Sequence, residues 1–525
     1  MSIKTLDAIE QEIDEAFASN ALAFVPWTQS AWTLLSVVED HHFKIKIIKP
    51  LPVHEATIYV DSLVNSMNYP LRILRERAPR KPTYLDRRYI PMNYELALNW
   101  LDSAKDYTQF CSIFPLYHAK EIDLSINGNF LEPTDWSSID HSFEAYDRFV
   151  AKRDPLDEPE PDIHAIGRAL HAYICTSDGS YTVNFSRQLM VQLQQHLGQF
   201  FEGKHVLPGD WQFTNFSLAQ YRSVFICLQI TATAWFMARR IVASRVQLYA
   251  YGSAVWAPRK GLLLKLIQRH TNLPAKTIQA ILKYLTFGEV GIRNPDVAIQ
   301  PLVDLGNDHY CISPFLMMHL HAERNICVLL NQVSADRTLY AALVNEKESL
   351  LRSETISSLQ PLGLDFKYGR INETDVDLAI IDHDGKVCLC IELKWFIEPA
   401  EIREVMVRSQ ELQKGVAQAK ILTSLYFGKD IRLLTLLGIG DDYEFQAMVG
   451  SVNFIGRSNI QDPAVPITKL WHVIAKIKET GSLREVVQWL KHRDYLPTPE
   501  KDYKVHEIPI HSGKWKSRWY GIAHQ

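Results

Sequence analysis

Two carboxylates and an amine in the stretch Ile371 to Phe396, INETDVDLAIIDHDGKVCLCIELKWF, have the types and spacing to hold a divalent cation and activate a water on it. They are Asp377, Glu392 and Lys394. VDLAII and KVCLCIELKWF have strand character, and Asp384-Gly385 between them favours a two-residue hairpin turn. That turn sets a register in which Ile381 faces Cys388, Ala379 faces Cys390, Asp377 faces Glu392 and Asp375 faces Lys394. Side chains alternate faces along a strand, so these residues share one face. Val376, Leu378, Ile380, Leu389, Ile391 and Leu393 form an apolar surface on the other. Directly opposed side chains have Cβ atoms roughly 4.5–5.5 Å apart, and like charges there repel. Two facing carboxylates are a poor choice for stability alone. Oxygen ligands at that spacing suit Mg²⁺ or Mn²⁺, and Lys394 can orient the attacking water or stabilise developing charge.

The run TDVDLAIID followed by Glu392-Leu-Lys394 resembles the PD-(D/E)XK nuclease superfamily, and within it the GEIDLhhxD pattern of the resolvase-like branch (h apolar, x any residue). The resemblance covers about Leu339 to Ile455. It implies metal ligation by Asp377 and Glu392, an accompanying acid at Asp375 and a catalytic lysine at Lys394. The family often adds a glutamate from an upstream helix; Glu346, Glu348 and Glu354 compete for that part, and Glu348 is preferred. The resemblance also implies a restriction-endonuclease-like fold, a mixed sheet flanked by helices, and Mg²⁺-dependent cleavage of nucleic acid, DNA in preference to RNA.

The helix expected after the hairpin starts near Pro399, a residue suited to a first turn. Ile402, Val405, Met406, Leu412 and Val416 form its apolar stripe. Gln410, Lys414 and Gln418 stack at spacings of four on another face. The superfamily commonly turns a glutamine or lysine of this helix toward the site, and Gln418 takes that catalytic part here, with Gln410 and Lys414 as accessories. A solvated polar face is the plain alternative.

The elements that must position these residues follow from pattern. A helix over Tyr340 to Leu351 precedes the hairpin, and two apolar runs, RLLTLLGIG and FQAMVGSVNFI, read as strands after the long helix. Together they define an α/β domain over residues 336–460, followed by a helical and basic aromatic tail over 461–525. Upstream lies a mostly helical α+β portion. Residues 1–151 read as a mixed domain, with FKIKIIK (Phe43 to Lys49) and ATIYV (Ala56 to Val60) alternating as strands do. Residues 152–162 form an acidic, proline-rich linker. Residues 163–335 read as helical, with a helix-turn-helix-like unit within 260–330 that turns at Asn272-Leu273-Pro274; any helical bundle produces such a pair.

Two stretches combine cations with aromatic rings and suit nucleic acid as well as they suit ordinary solvated surface. One holds Arg75, Arg77, Arg80 and Lys81, with Tyr84 and Tyr89 nearby. The other holds Lys514, Trp515, Lys516 and Arg518. His319, His321 and Glu323 are weak metal candidates, because residues two apart on a helix face different ways.

The 525 residues carry a net charge of −4, which argues against a polybasic protein without excluding a local basic groove. Seven cysteines without a CxxC pair argue against a disulfide framework and a structural zinc site. The N-terminus reads as an acidic amphipathic helix without a signal-peptide core, and Val224 to Met237 is shorter than the roughly 20 apolar residues of a spanning helix. The expectation is a cytoplasmic, multidomain nuclease without membrane attachment, with defence against foreign DNA as an analogy from the family. That leaves room for a homo-oligomer or partner subunits of a defence complex. The alternatives are a fold of the same type that grips nucleic acid or protein without cutting, and a structural subunit of a larger assembly.

Overall fold

The computed structural model describes residues 5–525 except 52, 82, 151–160, 178, 204, 206, 247–249, 293, 373, 397–398 and 400–401. Most of the expected linker, 152–160, therefore lies outside the described residues. The chain forms two compact units: Met1–Phe110 with Pro155–Ala341 and His511–Trp515, and Cys111–Asp154 with Ala342–Ile510 and Lys516–Gln525. The expected boundaries at 151 and 460 differ from this division. Residues 111–154 and 461–510 belong to the second unit, and apolar residues between Val465 and Tyr495 are part of its core.

The first unit is mainly helical. Its central helix, Leu218–Val246, packs against Pro314–His319, Arg187–Glu202 and Lys260–Thr271. By length and composition Leu218–Arg245 could cross a membrane, but 78% of its apolar window is buried against the rest of the protein. The helix is longer than the run Val224 to Met237, so its burial, and not the shortness expected from the sequence, marks it as a core helix. Neither alternating run upstream is a strand. Phe43 ends the helix Trp27–Phe43, Lys44–Ile48 continues it as a wider helical turn, and residues 56–60 fall in the helix Val53–Arg77. Helical neighbours on both sides override a short alternating pattern. Lys260–Thr271 and Ala275–Leu285 are the expected pair of helices, with Asn272 left-handed and Pro274 capping the second.

The second unit is built on a five-stranded mixed sheet. Its elements are α1 (Ser334–Leu359, from Ala342 on in this unit), β1 (Asp365–Arg370), β2 (Asp375–Asp382), β3 (Val387–Lys394), α2 (Ile402–Phe427), α3 (Ile431–Leu437), β4 (Glu444–Ser451), β5 (Ile467–Lys469), α4 (Leu470–Thr480) and α5 (Leu483–His492). The strand order is β5-β4-β3-β2-β1. The three strands β1, β2 and β3 are antiparallel, while β3, β4 and β5 run parallel. The crossover from β3 to β4 is made by α2, since parallel neighbours need a long connection.

Both faces of the sheet are covered. At Gly415 of α2 an added Cβ would lie 3.4 Å from Glu392 Cγ and 3.3 Å from Val449 Cγ2, so α2 covers that face. On the other, Gly450 leaves room for Ile391 and for Leu470 of α4. Burial on both sides explains why VDLAII and VCLCI read as nearly continuous apolar runs.

One strand expectation fails in this unit. RLLTLLGIG is the helix α3. Asp430 caps its start by accepting the N–H groups of Arg432 and Leu433, and left-handed Gly438 ends it. The tail holds helices α4 and α5, and its basic aromatic end is extended. Tyr503–Ser512 and Trp515–His524 form a hairpin, and the second strand pairs with Phe130–Pro133 in a separate four-stranded sheet.

Candidate active site

The hairpin β2–β3 holds the expected register. Ile381 faces Cys388, Ala379 faces Cys390 and Leu378 faces Ile391. The turn differs: pairing closes at Asp382 and Val387, so His383 to Lys386 form a four-residue loop. Asp382 accepts the Gly385 N–H at 2.8 Å, and it is Lys386, not Gly385, that takes positive φ. An even loop keeps every side chain on its expected face.

At the functional end the ladder gives way to side chains. Backbone pairing stops at Leu378–Ile391, and Asp377 Oδ2 accepts the N–H of Leu393 at 2.8 Å. The expected pairings of Asp377 with Glu392 and of Asp375 with Lys394 do not form in the ladder; Asp375 is exposed and pairs with Arg370 of β1 instead.

Glu392 is 2% exposed. One carboxylate oxygen, Oε1, lies 2.6 Å from Lys394 Nζ, and the other, Oε2, is buried without a hydrogen-bond partner. Burial and the facing charge of Asp377 push the Glu392 carboxyl up to about 7, against the opposite pull of Lys394. Burial also raises Asp377, although the Leu393 N–H and Lys394 oppose it. Burial pulls the Lys394 ammonium down, but the attraction of Glu392 outweighs it and the net shift is upward. Lys394 Nζ also lies 3.4 Å from Gln418 Oε1 on α2.

Of the three upstream glutamates, Glu348 belongs to the cluster. It is half-buried on α1, and its carboxyl is raised first by burial and then by Asp377, with Lys394 opposing. Glu346 and Glu354 are exposed. On α2, Gln418 is half-buried at the site, whereas Gln410 and Lys414 are exposed. Leu412 and Val416 form the buried stripe with Ser409, Ala419 and Leu422, while Ile402, Val405 and Met406 are half-buried. Pro399 precedes Ile402, the first residue of α2, by three positions and is not in the helix.

Sequence reasoning missed two contributors. Arg352, one turn beyond Glu348, donates to the Asp377 carbonyl at 3.2 Å and stacks over Tyr368 at 4.4 Å, tying α1 to β2. The i,i+4 spacing from Glu348 was the signal available. Gly415 is the other: a Cβ there would meet Lys394 Cε at 3.1 Å as well as Glu392 and Val449. A glycine inside a helix costs about 0.5–1 kcal/mol relative to alanine, and here it lets α2 lie on the charged residues.

The donor set is oxygen-rich and hard, which fits Mg²⁺ or Mn²⁺ better than a thiolate-seeking metal. Among the described residues, no three His, Cys, Asp or Glu side chains already converge as a metal cluster. What fits a cation is narrower: a buried carboxylate with an orphan oxygen beside a second carboxylate.

The other candidates lie elsewhere. Arg75 donates to Gly288 O at 2.6 Å, Arg77 to Ala18 O at 3.0 Å, and Arg80 to Arg75 O while stacking 4.3 Å over Trp27; Lys81 is exposed. Lys514 pairs with Glu12, Trp515 is buried, Lys516 is exposed and Arg518 pairs with Glu132 and Glu507. His319 ends one helix and His321 caps the next; Glu323 is buried, accepting the Leu207 N–H and pairing with Arg222.

No model of a known family, no curated protein and no solved structure matches this chain.

Proposed function

We propose that the second unit is a metal-dependent nuclease of the PD-(D/E)XK type, hydrolysing phosphodiester bonds with DNA as the preferred substrate. The observation that carries this reading is the buried, half-satisfied Glu392 next to Asp377. Desolvating a carboxylate and leaving an oxygen unpaired is unfavourable unless the site has another use. In this reading Asp377 and Glu392 hold Mg²⁺ or Mn²⁺, with Glu348 and exposed Asp375 adding negative potential. The ion would supply a water of lowered pKa. Lys394, whose Nζ lies 2.6 Å from Glu392 Oε1, would orient the attacking water or meet the developing charge on the phosphate. Gln418 holds the lysine side chain in place. The chain acts in the cytoplasm without membrane attachment. Defence against foreign DNA, self-association and partner subunits follow from the family analogy alone.

One observation favours a second reading, a fold of this type that binds without cutting. Lys394 already neutralises one oxygen of Glu392 at 2.6 Å, so the pair can persist without a cation. Incubation with plasmid, linear duplex and single-stranded substrates, each with Mg²⁺, Mn²⁺ or EDTA, separates the two. The nuclease reading expects metal-dependent cleavage of at least one substrate. Binding without cleavage under every metal condition supports the second.

A further inference from the structure

The first unit contains a cavity of about 1060 Å³ that the catalytic reading does not use. Three tyrosines make an aromatic wall: Tyr89 lies 5.1 Å from Tyr94 and 5.4 Å from Tyr251, and Tyr94 lies 5.7 Å from Tyr251, centroid to centroid. A fourth, Tyr84, stands 91% exposed at the rim. Buried Asp40 is part of the lining, and it accepts from Tyr94 Oη at 2.9 Å and from Arg239. Lys44, Arg87 and Arg88 line the same cavity, where Arg88 forks onto Asp86 at 2.6–3.1 Å and Lys44 lies 3.9 Å from Asp40, so three cations face two acids.

The wall is built rather than incidental. Gln29, itself buried, grips the Asp86 backbone at both ends: its Nε2 donates to Asp86 O at 2.9 Å and its Oε1 accepts the Asp86 N–H at 3.1 Å. Arg87 donates to Ala257 O at 3.1 Å, and Gly252 allows its backbone to approach, since a Cβ there would sit 3.0 Å from Arg87 O. The loop carrying Tyr84 is therefore pinned at successive residues while its largest apolar ring faces water. An exposed aromatic on a fixed loop beside cations suits stacking on a planar ring that carries phosphate.

We propose that this cavity binds a nucleoside phosphate: the base stacks on Tyr84 and Tyr89, and the phosphate takes the place of Asp86 on Arg88. The ligand is either a free nucleotide or one unstacked base of single-stranded nucleic acid. The inference extends the nucleic-acid reading above but requires no cleavage.

The test is equilibrium binding to the full chain in EDTA, with ATP, GTP, CTP and UTP in one arm and short single-stranded oligodeoxynucleotides in the other. Binding in the first arm identifies a free nucleotide, and binding in the second alone identifies a base within a strand. Loss of one stack should weaken affinity about tenfold in Tyr84→Ala, by a contact of about 1–3 kcal/mol. Tyr84→Phe should restore it, and Arg88→Ala should weaken binding and reduce its salt dependence. Glu392→Gln should bind as the wild type does, so failure of the catalytic reading leaves this result intact. No binding in either arm, or equal affinity in Tyr84→Ala, overturns the proposal.

Discussion

Each of the two units buries a glutamate whose carboxyl is pushed up to about 7 beside an aspartate, and the two sites differ in how far the glutamate's oxygens are satisfied. In the first unit, Glu39 accepts from Ser313 Oγ and the Phe315 N–H, and its neighbour Asp40 pairs with Arg239 and Tyr94. Burial raises Glu39 and the charge of Asp40 adds to it, while Ser313, the Phe315 N–H and Arg239 oppose it. In the second unit, Glu392 has one oxygen on Lys394 and one on nothing, and its neighbour Asp377 raises it further. Burial alone therefore does not mark a functional acid. A satisfied buried acid fixes packing; an unsatisfied one beside a like charge is a place for a cation.

That contrast can be broken by substitution. The largest effect is expected on cleavage: Asp377→Ala and Glu392→Ala should each lower it by on the order of a thousandfold, since metal-borne stabilisation is worth several kcal/mol. Glu39→Gln should leave it near wild type. Assays on the best substrate check this, and undiminished cutting by either site variant removes the assignment. Lys394→Ala should follow, with a loss of roughly a hundredfold to a thousandfold; unchanged turnover would leave the lysine only a structural part.

Stability should sort the two acids in the opposite order. Glu39→Ala strands the Ser313 hydroxyl and the Phe315 N–H and should destabilise by about 1–3 kcal/mol. Glu392→Ala removes repulsion from Asp377 and should cost much less in EDTA. Urea unfolding reads both, and equal losses would erase the distinction.

The smallest effect is on pH dependence. Glu392 keeps its proton in the fold to about pH 7, whereas the unfolded chain releases it near its ordinary value of 4.5. Its contribution to metal-free stability is full below about 4.5 and is lost as pH rises through about 7. In EDTA, Glu392→Gln should therefore gain stability relative to wild type between pH 5 and 8. Glu39 leaves its own share of the slope in place. A constant difference between the two proteins across that range would show that the folded-state pKa is not raised.

The hairpin was legible because two independent signals agreed, alternation by twos and a turn dipeptide, and an even loop preserved parity even though the turn itself was misjudged. Glu348 and Gln418 were reachable from helical spacing. The strand β1 was missed because DFKYGR is half-exposed and broken by Gly369, leaving no apolar alternation to read. In α3, the leucines suggested a strand, while the better evidence was at its ends, Asp430 and Gly438. The basic clusters show a different limit. Composition does not reveal that Arg75, Arg77 and Arg80 each direct a donor to a backbone carbonyl. In KWKSRWY, the alternation of buried Trp515 and Ser517 with exposed Lys514 and Lys516 was a strand signal hidden under a charge signal. Gly415 carried no sequence signal beyond being a glycine in a helix, because its reason lies on the sheet beneath it.

The central claim, that Asp377 and Glu392 form a cation site, is tested most directly by calorimetric titration of Mn²⁺ into the full chain at pH 8, where both carboxyls can give up their protons. Wild type and Lys394→Ala should each bind one ion per chain at this site, while Asp377→Asn and Glu392→Gln should lose that binding. Absence of Mn²⁺ binding by wild type, or equal affinity in Glu392→Gln, would contradict it.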